Sequence, residues 1–270
     1  MSDSLGIILA VVVSEVLPAG IAGYAAYWAL SVRRALAGRM YRNHALLLGI
    51  VGILVAMVGF LTYSTNQIMN DLLTVFYSAV FPFLFAFVDS TIPVARRSDP
   101  LLRSILHWNR LRFVLWGEAF ALAIVTFIPA ASPEFVGNSS AASLGNLVWP
   151  LLATTLFGIS GAALVIGARR SRDQILKGSL KWMGLCLLVF VLGFVGDTIV
   201  TSLPGVTTFD FYYSYYAVPT GLLSIVGTYF LYRSSRSLAP INPLQPAQLD
   251  VLPQGATTTV AGDSTTFSPS

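Results

Sequence analysis

Basic residues are missing altogether from three stretches of this chain, 63–71, 132–146 and 202–210, and charge of either sign is scarce throughout. Charged residues make up 10% of the total, against about 25% in soluble domains, so a soluble fold is a poor fit. Cysteine occurs once, as Cys186 inside an apolar run; no intrachain disulfide can form, and the thiol is expected to be packed core. Histidine occurs only as His44 and His107, each beside basic residues. That excludes a bis-histidine haem within a bilayer and any Cys/His/carboxylate set spaced for a metal. The only lysines are Lys177 and Lys181, neither in the last apolar run, so a retinal Schiff base has no amine there. A P-loop, a nucleophile elbow and a metalloprotease motif are all absent. The chain is therefore expected to be non-enzymatic, with no cofactor and no metal, and its net charge of +4 is no nucleic-acid footprint.

What is there is apolar sequence: 55% of all residues, with a mean hydropathy of +0.73. It is gathered into seven runs, over about 5–31, 45–63, 72–94, 113–131, 147–166, 182–202 and 211–232. Roughly 20 helical residues at 1.5 Å each cross about 30 Å of hydrocarbon. The runs are continuous where barrel strands would alternate, so helices are expected. Every Lys and Arg falls in one of four clusters at alternate ends of these runs: 33–42, 96–112, 169–181 and 233–236. Short cytoplasmic loops collect Lys and Arg, whereas translocated loops do not. The expected fold is thus an all-α membrane protein, a seven-transmembrane helix bundle over 1–236 in the cell membrane. Its N-terminus is outside and its C-terminus cytoplasmic.

Local signals refine this plan. Met1-Ser2-Asp3-Ser4 has no basic character, so the first run is expected to be a retained span rather than a signal peptide. Asp99-Pro100 is a helix start, and a short interfacial helix is expected over 101–106. Asn138-Ser139-Ser140 is a glycosylation triplet in an outward connection. From 237 onward Pro, Ser and Thr dominate, and a disordered cytoplasmic tail is expected over 237–270. Runs one to three and five to seven share a weak likeness, with Arg33-Arg34 matching Arg169-Arg170 and Phe76-Tyr77-Ser78 matching Tyr212-Tyr213-Ser214.

Ionisable residues within a span are costly, about 2.5–3.5 kcal/mol on insertion scales at a helix centre, and mark candidate sites. Counting along the spans puts them in two layers. The outer layer is Glu15 and Asp197, with Asn66, Asp210, Tyr212, Tyr213 and Tyr216 at the same end as a ligand or ion pocket. The inner layer is Asp89 and Glu118, near Arg96, Arg97 and Arg112, where an ion-pair network is expected. Prolines at 18, 82, 150 and 219 and small residues such as Gly20, Gly23, Gly158 and Gly161 are expected to bend helices and let them approach.

Three functional readings follow. The order of spans is similar to that of receptors and of membrane-embedded sensory regions in prokaryotic signalling proteins, a likeness of architecture alone. It implies a sensor with an outward acidic and aromatic pocket, and a cytoplasmic signalling partner. The weak repeat implies instead a proton- or cation-coupled transporter of 3+1+3 type, for which seven-span sugar exporters are the nearest example. A third reading is an accessory subunit of a membrane complex. The lipid bilayer is a partner in all three, and nucleic acid in none.

Overall fold

A computed structural model describes residues 2–62, 67–97, 108–128, 142–171, 173–201 and 217–238. Of the described residues 93% are helical and none is in a strand, which leaves no place for a barrel among them. Helix α1 (Ser2–Val11) passes through a π-helical turn (Val12–Val16) into α2 (Leu17–Val32). There follow α3 (Arg39–Leu61), α4 (Gln67–Arg97) and α5 (Trp108–Thr126). The chain continues with α6 (Ala142–Arg170), α7 (Gln174–Thr201) and α8 (Ala217–Ser237). With α1, the π-turn and α2 as one rod, these are seven rods, each overlapping one of the seven apolar runs.

Among the described residues, five stretches are long and apolar enough to cross a bilayer: Ile8–Val32, Arg39–Leu61, Gln67–Ile92, Val148–Arg170 and Gln174–Gly196. The chain is a multi-pass, membrane-embedded helical protein. The other two rods fall short for identifiable reasons. Helix α5 carries Arg110, Arg112 and Glu118, and its expected continuation to 131 lies partly outside the described residues. Helix α8 is described only from Ala217, and its uncharged stretch ends at Arg233. The expected helix at 101–106, the triplet at 138–140 and the tail beyond Leu238 also lie outside the described residues.

Several helices overrun their apolar runs at the basic ends. Helix α3 begins at Arg39 instead of 45, and α7 at Gln174 instead of 182. Hydropathy marks the hydrocarbon-spanning portion, but Arg, Lys, Gln and Leu are good helix formers, so the backbone stays helical past it. Long basic side chains snorkel from these extensions.

Each rod packs on its neighbours in sequence, and α8 closes the ring against α2 and the π-turn. The interior is filled by large side chains, among them Phe85, Phe87, Trp108, Leu156, Leu164 and Leu180. The exterior is just as apolar, with Phe113, Ile124 and Leu151 between 63 and 69% exposed. Such a surface belongs against lipid, where apolar exposure carries no penalty. Many hydroxyls within the rods are satisfied by their own helix. Thr74, Ser78, Thr126, Thr155 and Thr228 each bond the carbonyl four residues back.

With no water to expel between helices, close approach and dispersion hold the bundle together. Ala19, Ala22 and Ala26 of α2 meet α3 at its glycines: a Cβ on Gly52 would lie 2.9 Å from the Ala22 carbonyl oxygen, and one on Gly59 2.8 Å from Ala19 Cβ. In α6 and α7, Gly161 and Gly184 face each other reciprocally: a Cβ on either would come within 3.0 Å of the other's carbonyl oxygen. Of the small residues picked from sequence, Gly161 is at such a contact. Gly20 has nothing within 4 Å, and Gly23 and Gly158 make only ordinary contacts at 3.7 and 3.9 Å.

Candidate functional site

Proline sets the geometry of the outer candidate. Pro18 has no N–H to give to the carbonyl of Ser14, and its ring would crowd that carbonyl in a regular helix. The chain widens instead, and Leu17 N–H bonds the Val12 oxygen five residues back. This π-turn carries Glu15, half-buried, beside the buried Ser14, whose Oγ has no hydrogen-bond partner among the described residues. Two other helices close on the turn. A Cβ on Gly59 of α3 would lie 3.2 Å from the Glu15 carbonyl oxygen. A Cβ on Gly221 of α8 would lie 2.7 Å from Ser14 Cα and 3.1 Å from the Val13 carbonyl carbon. The intramembrane carboxyl thus sits on a widened turn pressed directly against the backbone of the last helix. π-turns of this kind occur frequently at functional sites.

Of the other residues expected in the outer pocket, Asn66, Asp210, Tyr212, Tyr213 and Tyr216 lie outside the described residues. Asp197 is placed on α7, near its described end, and its side chain is likewise outside them.

The expected inner ion-pair network includes Arg96 and Arg97, whose side chains lie outside the described residues; the described members are placed as follows. Asp89 on α4 is clasped by two indoles of α5: Trp108 Nε1 donates to Oδ1 at 3.3 Å, and Trp116 Nε1 to Oδ2 at 3.1 Å. Phe85, one turn back on α4, packs edge-on against Trp116 with ring centroids 5.0 Å apart. Arg112 lies with its guanidinium carbon 5.2 Å from the centroid of the Phe113 ring. Glu118 is half-buried, and its Oε2 has no hydrogen-bond partner among the described residues. Arg96 and Arg97 end α4, and their side chains are outside the described residues.

Beside the clasp, Ser90 Oγ lies 2.9 Å from His44 Nδ1 and donates to the Phe87 carbonyl at 2.8 Å. A hydroxyl has one proton. With it on Phe87, Nδ1 is the donor and Nε2 the bare acceptor, and Nε2 is buried without a partner among the described residues.

Sequence reasoning passed over three further features. Asp173 caps α7, its Oδ1 accepting from Ile175 N–H at 3.0 Å and Leu176 N–H at 3.1 Å, while Tyr41 OH donates to Oδ2. The cap was readable, because an Asp immediately before an apolar helix is a start signal; the Tyr41 partner was not. Ser179 and Ser234 join α7 to α8 at 3.1 Å. Arg233 lies over the Trp182 ring at 4.8 Å and Arg236 over Trp28 at 5.0 Å, a cation–π layer at the ends of α2, α7 and α8.

Comparison with protein-family models, with curated proteins and with solved structures finds no match to the chain. No group of three or more His, Cys, Asp or Glu able to hold a metal occurs among the described residues.

Proposed function

We propose that this protein is a non-enzymatic, receptor-like sensor of the cell membrane that responds to protons or cations at Glu15. In this reading the N-terminus and the acidic layer face outward, and the four basic clusters face the cytoplasm. The observation that carries it is the π-turn bearing Glu15 against Gly221 of α8. A change of charge on that carboxyl acts on a turn that α8 touches backbone to backbone, and α8 runs on to the Ser179–Ser234 contact at the basic end. A two-state shift of α8 is the simplest way to carry that change to a cytoplasmic signalling partner.

The ring order weighs against the 3+1+3 transporter. A three-helix half that rocks as one compact body would be favoured by contact between its first and third members. Among the described residues, α2 with α4 and α6 with α8 are not among the helix pairs in substantial contact.

Hydrogen exchange over α8, measured in nanodiscs at about pH 5 and about pH 8, tests the proposal. A pH-dependent change in α8 protection, abolished in Glu15→Gln, is expected, together with no solute or proton flux in proteoliposomes. Flux that disappears in Glu15→Gln would establish transport instead.

A further inference from the structure

The first and last of the four basic clusters use their side chains differently. In the last cluster, Arg233 and Arg236 rest on indole faces and bond Tyr229 and Tyr232 through their guanidinium nitrogens. In the connection between α2 and α3, Arg33, Arg34, Arg39 and Arg42 are all exposed and have no acidic partner among the described residues. With Asn43 they line one open concavity of about 490 Å³.

Three features of this concavity favour an anion. The turn is made by Gly38 at φ 90°, in the left-handed region where glycine fits without strain, and it brings the arginines ending α2 opposite those starting α3. Gly38 is also the N-cap of α3 and supplies no side-chain oxygen, so the first N–H groups of α3 lack a side-chain cap beneath the cluster. Finally, the carboxylate near this end of α3 is already engaged. Asp173 takes Tyr41 OH on one oxygen and two backbone N–H groups on the other.

We propose that this concavity binds the headgroup of an anionic phospholipid carrying two phosphates. Guanidinium pairs match phosphate oxygens in bidentate fashion, and four of them exceed what one phosphate can occupy. The volume falls in the range of small-ligand sites, about 300–1,000 Å³. The lipid source is favoured by position. The concavity lies at the very ends of two membrane-spanning rods, with Leu36 of the same connection buried among the helices. A headgroup there keeps its acyl chains alongside the exposed apolar flanks of the bundle. The proposal is independent of the sensor reading, and holds for whichever leaflet the connection faces.

Native mass spectrometry of the full chain in detergent, titrated with cardiolipin or with phosphatidylcholine, is the test. Cardiolipin adducts are expected at concentrations where phosphatidylcholine gives none. Arg39→Gln/Arg42→Gln should weaken the cardiolipin adduct roughly tenfold or more, and Arg33→Gln/Arg34→Gln should do the same from the α2 side. Arg169→Gln/Arg170→Gln removes the same charge elsewhere and should change it less than about twofold. Equal weakening by all three pairs would reduce the effect to net charge and overturn the site. So would retention of the adduct in the quadruple variant, shown folded by its far-ultraviolet circular dichroism. Inorganic pyrophosphate bound as tightly as cardiolipin, and displacing it, would identify a soluble anion as the ligand and overturn the lipid assignment.

Discussion

Asp89 shows how a carboxyl is held inside this bundle. Both oxygens accept from indole N–H groups of a neighbouring helix, so the group is satisfied by neutral donors where a pairing with arginine was expected. Hydrogen bonds to charged groups contribute roughly 1.5–3 kcal/mol each, and an abandoned buried acceptor costs about as much. Trp116→Phe keeps an aromatic ring beside Phe85 but removes the donor and part of the indole's packing volume, so it should destabilise by about 1–3 kcal/mol. At roughly 2–4 °C per kcal/mol for a chain of 150–250 residues, the thermal midpoint in detergent should fall by several degrees. Asp89→Asn replaces one acceptor oxygen with a donor facing an indole N–H, and should cost a similar amount. Because the two residues touch, the double variant should be less destabilised than the sum of the singles, by at least about 0.5 kcal/mol. Strict additivity would mean that the Trp116–Asp89 bond contributes nothing. An Asp near the end of one run, with Trp108 just before the next and Trp116 at its start, was visible in the sequence; their pairing depends on the rotation of α5 about its axis, which hydropathy does not encode.

At the scale of helices, glycine positions separate packing contacts from bystanders. Gly20 has open space around it, whereas Gly221 meets the π-turn backbone within 3 Å. Alanine is about 0.5–1 kcal/mol better than glycine within a helix where nothing obstructs it. Gly20→Ala should therefore leave stability unchanged or raise it. Gly221→Ala must push α8 away from Ser14 and should lower stability by about 1–3 kcal/mol, as overpacking generally does. Opposite signs in detergent melting curves are the expected result, and equal effects would deny the close approach. The positions of the rods were legible in the sequence because twenty apolar residues in a row permit little else. Pro18 was legible as a source of irregularity, but the π-turn it produces was not. Its form depends on the Leu17–Val12 bond and on α8 lying across it, a contact between residues some two hundred positions apart. Most of the expected outer pocket falls in residues 63–66 and 202–216, outside the described residues, and rests on the sequence alone.

For the whole molecule the decisive quantity is the number of crossings, because parity fixes which connections share a side. Among the described residues five stretches meet the length and apolarity of a span, while α5 and α8 have basic ends and shorter described apolar portions. If all seven rods cross, the connections at 98–107 and 129–141 face opposite sides, and the N- and C-termini do as well. If α5 stopped short of crossing, those two connections would share a side. If α8 did, the connection at 202–216 would share a side with the residues after 238. The chain offers a clean background for the measurement, since its one cysteine, Cys186, is buried to 1% exposure in the core. Single cysteines at Ser104, Ser139, Ser202 and Ser264 can be challenged in intact cells with a membrane-impermeant maleimide, and again after permeabilisation. Segregation of positive charge to one leaflet predicts labelling of Ser139→Cys and Ser202→Cys in intact cells. Ser104→Cys and Ser264→Cys should label only once the membrane is opened. Ser104→Cys and Ser139→Cys reacting together would remove α5 from the set of spans and place Glu118 at a surface. Ser202→Cys and Ser264→Cys reacting together would remove α8, and with it any path from Glu15 across the membrane.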